Sequence, residues 1–159
     1  MNILSPSLLS IDFNNIERDA AILDRAEVKW YHLDVMDGAF VPNISFGPPV
    51  IKAIRKITKA FFDVHLMINE PIRYLDAFKD AGADLLTVHY EACGDVDETI
   101  NQIKKAGLKV GLAVNPETNE EVLKPYIDKV DMILIMSVHP GFGGQKFMPI
   151  AIKKLEKVK

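Results

Sequence analysis

The sequence predicts an α/β fold in which a parallel sheet carries helices on its outside, and three observations predict it. Short apolar, β-branched runs alternate with longer amphipathic segments, and no low-complexity linker separates them. Strand starts recur about every 23 to 31 residues, the length of a strand, a helix and two short loops. Taken in order, strands are expected over 3–7, 30–34, 61–67, 85–89, 109–114 and 132–137. Helices are expected over 14–24, 48–56, 71–81, 96–106, 120–126 and from 149 to the end. "DAGAD" at 80–84 and "KAGLK" at 105–109 repeat one device, a helix stop on a glycine suited to the left-handed cap and then the next strand. Six such β/α units favour a barrel over a doubly wound sheet.

A closed barrel of this kind takes eight units and about 250 residues, at least about 200. The 159 residues here hold six units, so the chain is expected to be incomplete. An open six-stranded piece leaves its first and sixth strands as unpaired edges unless another chain covers them, a further sign that the chain is incomplete. A homo-oligomer is the expected state.

Composition narrows the function classes. A net charge of -3 and a pI near 5.8 provide no broad basic surface, which argues against nucleic acid and anionic lipid as partners and makes any anion site local. The single cysteine, Cys93, cannot form an internal disulfide and fits a reducing compartment or an inert core position. No segment approaches the roughly 18 to 20 apolar residues of a membrane span, and "MNILSPSLLS" lacks the features of a signal peptide, so a cytoplasmic protein is expected.

The chemistry-bearing residues follow strand parity. In "YHLDVM", His32, Asp34 and Met36 share one side, and in "FFDVHLM", Asp63, His65 and Met67 do. One buried histidine is usually a satisfied core residue. Two adjacent strands aiming such residues inward offer two imidazoles and a carboxylate, a set that suits zinc, iron or manganese, at the strand ends where barrel active sites sit. Asp34 can also serve as a base toward a carbon acid, because a bound cation takes up the charge that develops on substrate oxygens. Met36 and Met67 read as core filling or as an apolar cap over the reacting carbon. The run "MSVHPGFGGQKF" at 136–147 follows the sixth strand, and its glycines allow close backbone approach and an anion-binding nest, with phosphate as the natural guest. His89 and Glu91 in "VHYEA" either line the site mouth or end a strand.

Together these motifs resemble the ribulose-phosphate 3-epimerase family. "SPSLLSIDF" at 5–13, "HLDVMDGAFVPNISFGP" at 32–48, "DVHLMI" at 63–68, "VHYEA" at 88–92, "GLAVNPET" at 111–118 and "HPGFGGQKF" at 139–147 carry the resemblance in order along the whole chain. It implies a (β/α)8 TIM barrel of the ribulose-phosphate-binding type, here truncated to six units. It also implies interconversion of D-ribulose 5-phosphate and D-xylulose 5-phosphate through a cis-enediolate in the pentose phosphate pathway. By the same resemblance His32, Asp34 and His65 ligate a divalent metal, zinc first with iron, manganese or cobalt as alternatives, and Asp34 is also one acid/base. Ser7 touches the sugar-phosphate substrate, Met36, Met67 and Met136 cap the enediolate, and Gly141, Phe142, Gly143 and Gly144 hold the phosphate. The family's second acid/base, an Asp on the seventh strand that is also the fourth metal ligand, and the remaining phosphate grip after the eighth strand have no counterpart in these residues. The 159-residue chain alone is thus expected to be inactive or nearly so. A D-allulose-6-phosphate 3-epimerase or related sugar-phosphate epimerase is the nearest alternative, and a non-catalytic truncated barrel is the alternative of another class.

Overall fold

The structure, a computed structural model, describes residues 2–158. Five strands, β1 (Trp30–Met36), β2 (Phe61–Met67), β3 (Leu85–His89), β4 (Lys109–Val114) and β5 (Met132–Ile135), form one wholly parallel sheet in chain order. The connecting helices are α1 (Ile16–Arg25), α2 (Pro48–Arg55), α3 (Leu75–Ala81), α4 (Val96–Lys105) and α5 (Ile150–Val158). The expected α/β class and parallel order stand, as an open arc of strands.

Two elements differ from expectation. The run 3–7 makes no strand. It makes a single parallel bridge, Ser7 to His32, with the His32 N–H donating to the Pro6 carbonyl at 3.0 Å. Pro6 has no N–H to continue a ladder, and the Ser7 hydroxyl turns instead to the Leu9 N–H and caps a 3-10 turn over Leu8–Ser10. The run 120–126 belongs to a longer 3-10 stretch, Glu120–Lys129, which contains Pro125; a proline removes the bond an α-helix needs there. Gly82 and Gly107, the repeated helix stops, take positive φ of 102° and 82° as their position demands.

The sheet has two unlike faces. One presents Tyr31, Leu33, Val35, Phe62, Val64, Leu66, Leu86, Val88, Val110 and Leu112, all buried against the helices through Ala20, Ile51, Ile54, Phe78, Ile100 and Ile103. Each such buried side chain stabilises the fold by about 1.5–3 kcal/mol. The other face carries Trp30, His32, Asp34 and Met36 on β1, Phe61, Asp63, His65 and Met67 on β2, and Thr87 and His89 on β3. All the carboxylate and imidazole side chains of the strands lie on that second face.

The N-terminal strand ends are tied by a repeated motif. Asp84, just before β3, accepts the Phe62 N–H at 2.7 Å, and Asp131, just before β5, accepts the Val110 N–H at 2.8 Å. Arg55 fastens the same end: its guanidinium lies 3.7 Å from the Phe62 ring centroid, pairs with Asp84 at 3.2 Å, and donates to the Thr58 and Ala60 carbonyls. Asp24 accepts from the buried Tyr31 hydroxyl at 2.6 Å and from Thr58 at 2.8 Å, joining α1, β1 and the α2–β2 loop.

Gly111 on β4 lets the Thr87 side chain stand upright on the polar face. A Cβ at 111 would lie 2.3 Å from Thr87 Oγ1 and 3.0 Å from its Cβ. Gly111→Ala is therefore expected to destabilise the protein by roughly 2–3 kcal/mol, since a fixed β-branched neighbour must move. Gly143→Ala, where nothing lies within 4 Å, is expected to change stability by less than about 0.5 kcal/mol. Urea unfolding of both variants measures the contrast; equal stabilities would contradict the packing described.

Candidate active site

In-register pairing of β1 with β2 sets Asp34 opposite His65 and His32 opposite Asp63. With all four side chains on the polar face, the ligand atoms converge. His32 Nε2 lies 3.2 Å and His65 Nδ1 lies 3.0 Å from Asp34 Oδ1, and the two ring nitrogens are 3.2 Å apart. His32, Asp34 and His65 can thus each offer one atom to a common metal ion.

The donor chemistry suits a cation. His32 Nδ1 is engaged by Asp63 Oδ2 at 2.7 Å, and Asp63 is itself held by the Thr87 hydroxyl at 2.8 Å. A carboxylate only accepts, so His32 carries its proton on Nδ1 and turns Nε2 to the site. His65 Nε2 is likewise engaged, by His89 Nε2 at 2.8 Å, which leaves His65 Nδ1 facing Asp34. Two nitrogens and an oxygen in one half-buried recess are a set that a borderline divalent ion accepts.

The same contacts set the charges. Burial opposes ionisation of Asp34, but the hydrogen bond and positive charge of His32, with His65 alongside, outweigh it and hold the carboxyl well below the usual range. Burial works against a charged His32 as well, yet Asp34 and Asp63 on either side raise it to about 10. For His65, burial dominates, and the neighbouring His89 and His32 add to it, lowering it to about 4.

The other expected site residues are distributed around this centre. The Ser7 hydroxyl donates to Asp34 Oδ2 at 2.5 Å. Met36 and Met67, 5% and 2% exposed, pack with Val41, Leu9 and Phe40 in a small apolar cluster at the C-terminal ends of β1 and β2. Met136 follows β5, half-buried, and is not in that cluster. Gly141 is buried against Val41 and Pro42 at φ 124°, and its carbonyl accepts from Asn43 Nδ2 at 2.8 Å, so the glycine loop docks on the β1–α2 loop. Gly143 and Gly144 are exposed, as is Phe142.

Two contacts of the site, those of Asp63 and Ser45, are not evident from motif reading. Asp63 has the right parity, but its partner follows only from the strand register. Ser45 bridges the Asp34 carbonyl (2.6 Å) and the Met36 N–H (3.0 Å), fixing the end of β1 from a loop nine residues on. His89 and Glu91, expected at the site mouth or at a strand end, join the site through His65 from the end of β3. Cys93 stays an inert half-buried thiol, pushed up to about 11 chiefly by burial.

Comparison with known proteins matches this arrangement to a family. The family model described as the Ribulose-phosphate 3 epimerase family matches residues 3–159. The chain is similar to "Ribulose-phosphate 3-epimerase" of Bacillus subtilis (strain 168), 46% identical over 156 residues, which cover 98% of this chain and 72% of that one. The protein of that name from Schizosaccharomyces pombe is 47% identical over 156 residues, covering 96% and 68%. Among solved structures, the N-terminal domain of a putative aldolase from Bacteroides vulgatus superposes with a TM-score of 0.59 at 19% identity, covering 99% of this chain and 60% of that one. A putative mandelate racemase/muconate lactonizing enzyme from Sorangium cellulosum also gives 0.59, at 12% identity, covering 99% and 43%; both likenesses are of fold. No helix among the described residues is long and apolar enough to cross a membrane. The sequence match over residues 3–159 and the geometry of His32, Asp34 and His65 lead to one conclusion: the chain belongs to the ribulose-phosphate 3-epimerase family.

Proposed function

We propose that this chain serves the epimerisation of D-ribulose 5-phosphate to D-xylulose 5-phosphate at C3, through a cis-enediolate, in the pentose phosphate pathway of the cytoplasm. The observation that carries the reading is the convergence of His32 Nε2, Asp34 Oδ1 and His65 Nδ1 on one point in a chain of this family. A divalent cation held there, zinc first, supplies positive charge for the enediolate oxygens.

This chain's own residues do the rest. Asp34 is ionised, and as the base it takes the C3 proton, poised between the Ser7 hydroxyl on Oδ2 and the two imidazoles on Oδ1. Ser7 fixes the carboxylate's orientation and offers its oxygen to the substrate. Met36 and Met67 keep water from the carbanion side through buried, polarisable surface, with Met136 as a third cap from the end of β5. Gly141, Phe142, Gly143 and Gly144 take the phosphate; positive φ at Gly141 and Gly144 bends a backbone whose middle is open to solvent. On β4 the same face carries Lys109, Gly111 and Ala113, and none of them is a base for the opposite side of the sugar. Among the described residues Asp34 alone is placed to move the C3 proton, so inversion takes a second acid from outside them.

Exchange at C3 tests the base directly. With zinc or manganese in deuterated water, the chain is expected to incorporate deuterium into D-ribulose 5-phosphate faster than it forms D-xylulose 5-phosphate. Asp34→Asn is expected to cut exchange at least about a hundredfold. Exchange that survives Asp34→Asn or a chelator would refute the assignment.

Cation binding has its own pH signature. His32, protonated up to about pH 10 in the metal-free protein, must release its Nε2 proton when a cation binds. Zinc affinity is therefore expected to fall about tenfold for each pH unit from 9 to 7, with about one proton released per ion. Calorimetry in buffers of different ionisation enthalpy reads both; a pH-independent affinity would contradict this charge state.

A further inference from the structure

The buried chain behind His65 reaches farther than the ligand itself. His89 is fully buried at the end of β3; its ring stacks on His65 with centroids 5.0 Å apart and lies 4.9 Å from the Phe40 ring, which covers it. His65 Nε2 meets His89 Nε2 at 2.8 Å, and His89 Nδ1 faces Glu91 Oε2 at 3.3 Å. The other Glu91 oxygen, Oε1, accepts the Asn115 N–H at 2.8 Å and the Thr118 hydroxyl. That turn is anchored in its own right, because the buried Lys154 of α5 donates to the Asn115 and Thr118 carbonyls.

With a neutral His89 the hydrogen bonds along this chain take one order. A carboxylate can only accept, so the His89 proton sits on Nδ1 toward Glu91. His89 Nε2 is then bare and accepts, so His65 carries its proton on Nε2. His65 Nδ1 is left with its lone pair, which accepts from His32 Nε2–H at 3.2 Å beside Asp34 Oδ1 at 3.0 Å.

We infer that Glu91, acting through His89, is a positioning residue for the cation site: it fixes the tautomer of His65 and so presents Nδ1 as a ligand. The inference rests on the metal site described under Proposed function. Glu91 is anchored for this task on three donors, His89, Thr118 and the Asn115 N–H; although burial opposes its charge, they hold its carboxyl down near 2. Its side chain is 22% exposed, so the chain runs from the surface to the site across β2, β3 and the loop after β4.

Glu91→Gln reverses the logic. The amide oxygen stays on the Asn115 N–H, the amide NH2 turns to His89 Nδ1, and His65 is forced to carry its proton on Nδ1. Zinc affinity, read by competition with a chromophoric chelator, is expected to drop about 10- to 100-fold. Long-range 15N–1H correlation spectra of the metal-free protein are expected to show His65 as the Nε2–H form in the wild type and as the Nδ1–H form in Glu91→Gln. Thr118→Val, which keeps the carboxylate, is expected to retain the wild-type tautomer. A Glu91→Gln protein with unchanged zinc affinity and an unchanged His65 tautomer overturns the inference. If that variant fails to fold, a wild-type His65 found as the Nδ1–H form overturns it equally. If the wild type takes up no zinc, the metal reading falls, while the wild-type tautomer still decides the role of Glu91.

Discussion

Everything at the candidate site depends on the register between β1 and β2. Pairing Asp34 with His65 and His32 with Asp63 puts a carboxylate and an imidazole side by side at two successive levels of the same face. A slip of β1 by one residue would turn His32 and Asp34 into the helix layer, where Leu33 and Val35 now pack. A slip of two would keep the face but separate His65 from Asp34. The helix-facing aliphatic residues thus enforce the first condition. The second needs a specific anchor.

That anchor lies at the opposite end of the strands. The Phe61 N–H donates to the Lys29 carbonyl at 2.7 Å, Asp84 holds the Phe62 N–H, and Arg55 locks Asp84 while covering the Phe62 ring. Asp24 adds a tie from α1 through Tyr31 and Thr58. Burial and packing supply the bulk of the stability, and these hydrogen bonds select the register. The division of labour follows from the physics: apolar burial is non-directional, whereas a carboxylate pinned between an N–H and a guanidinium specifies position to within a bond length.

Much of this was legible in the sequence, for reasons that can be named. Alternation along "YHLDVM" and "FFDVHLM" is enough to place His32, Asp34 and His65 on one face, because parity is a property of a single strand. Gly82 and Gly107 announce the helix stops that return the chain to the sheet. Parity does not state which residue faces which across a ladder, so the Asp63–His32 clamp and the His65–His89–Glu91 chain wait for the register. Proline accounts for both elements misread: Pro6 leaves the first run with one bridge in place of a ladder, and Pro125 holds the segment before β5 in 3-10 geometry. The family resemblance carried by the motifs agrees with the family that the comparisons show.

The site reads as a pair of imidazoles whose outward nitrogens are committed to Asp63 and His89, so that their inward nitrogens and Asp34 are left for a cation. Zinc K-edge X-ray absorption on the metal-loaded protein tests that claim most directly. The account predicts two imidazole nitrogens and at least one carboxylate oxygen at about 2.0–2.2 Å, with the imidazole scattering halved in His65→Gln. A zinc environment of oxygen alone, or one unchanged in His65→Gln, would contradict it.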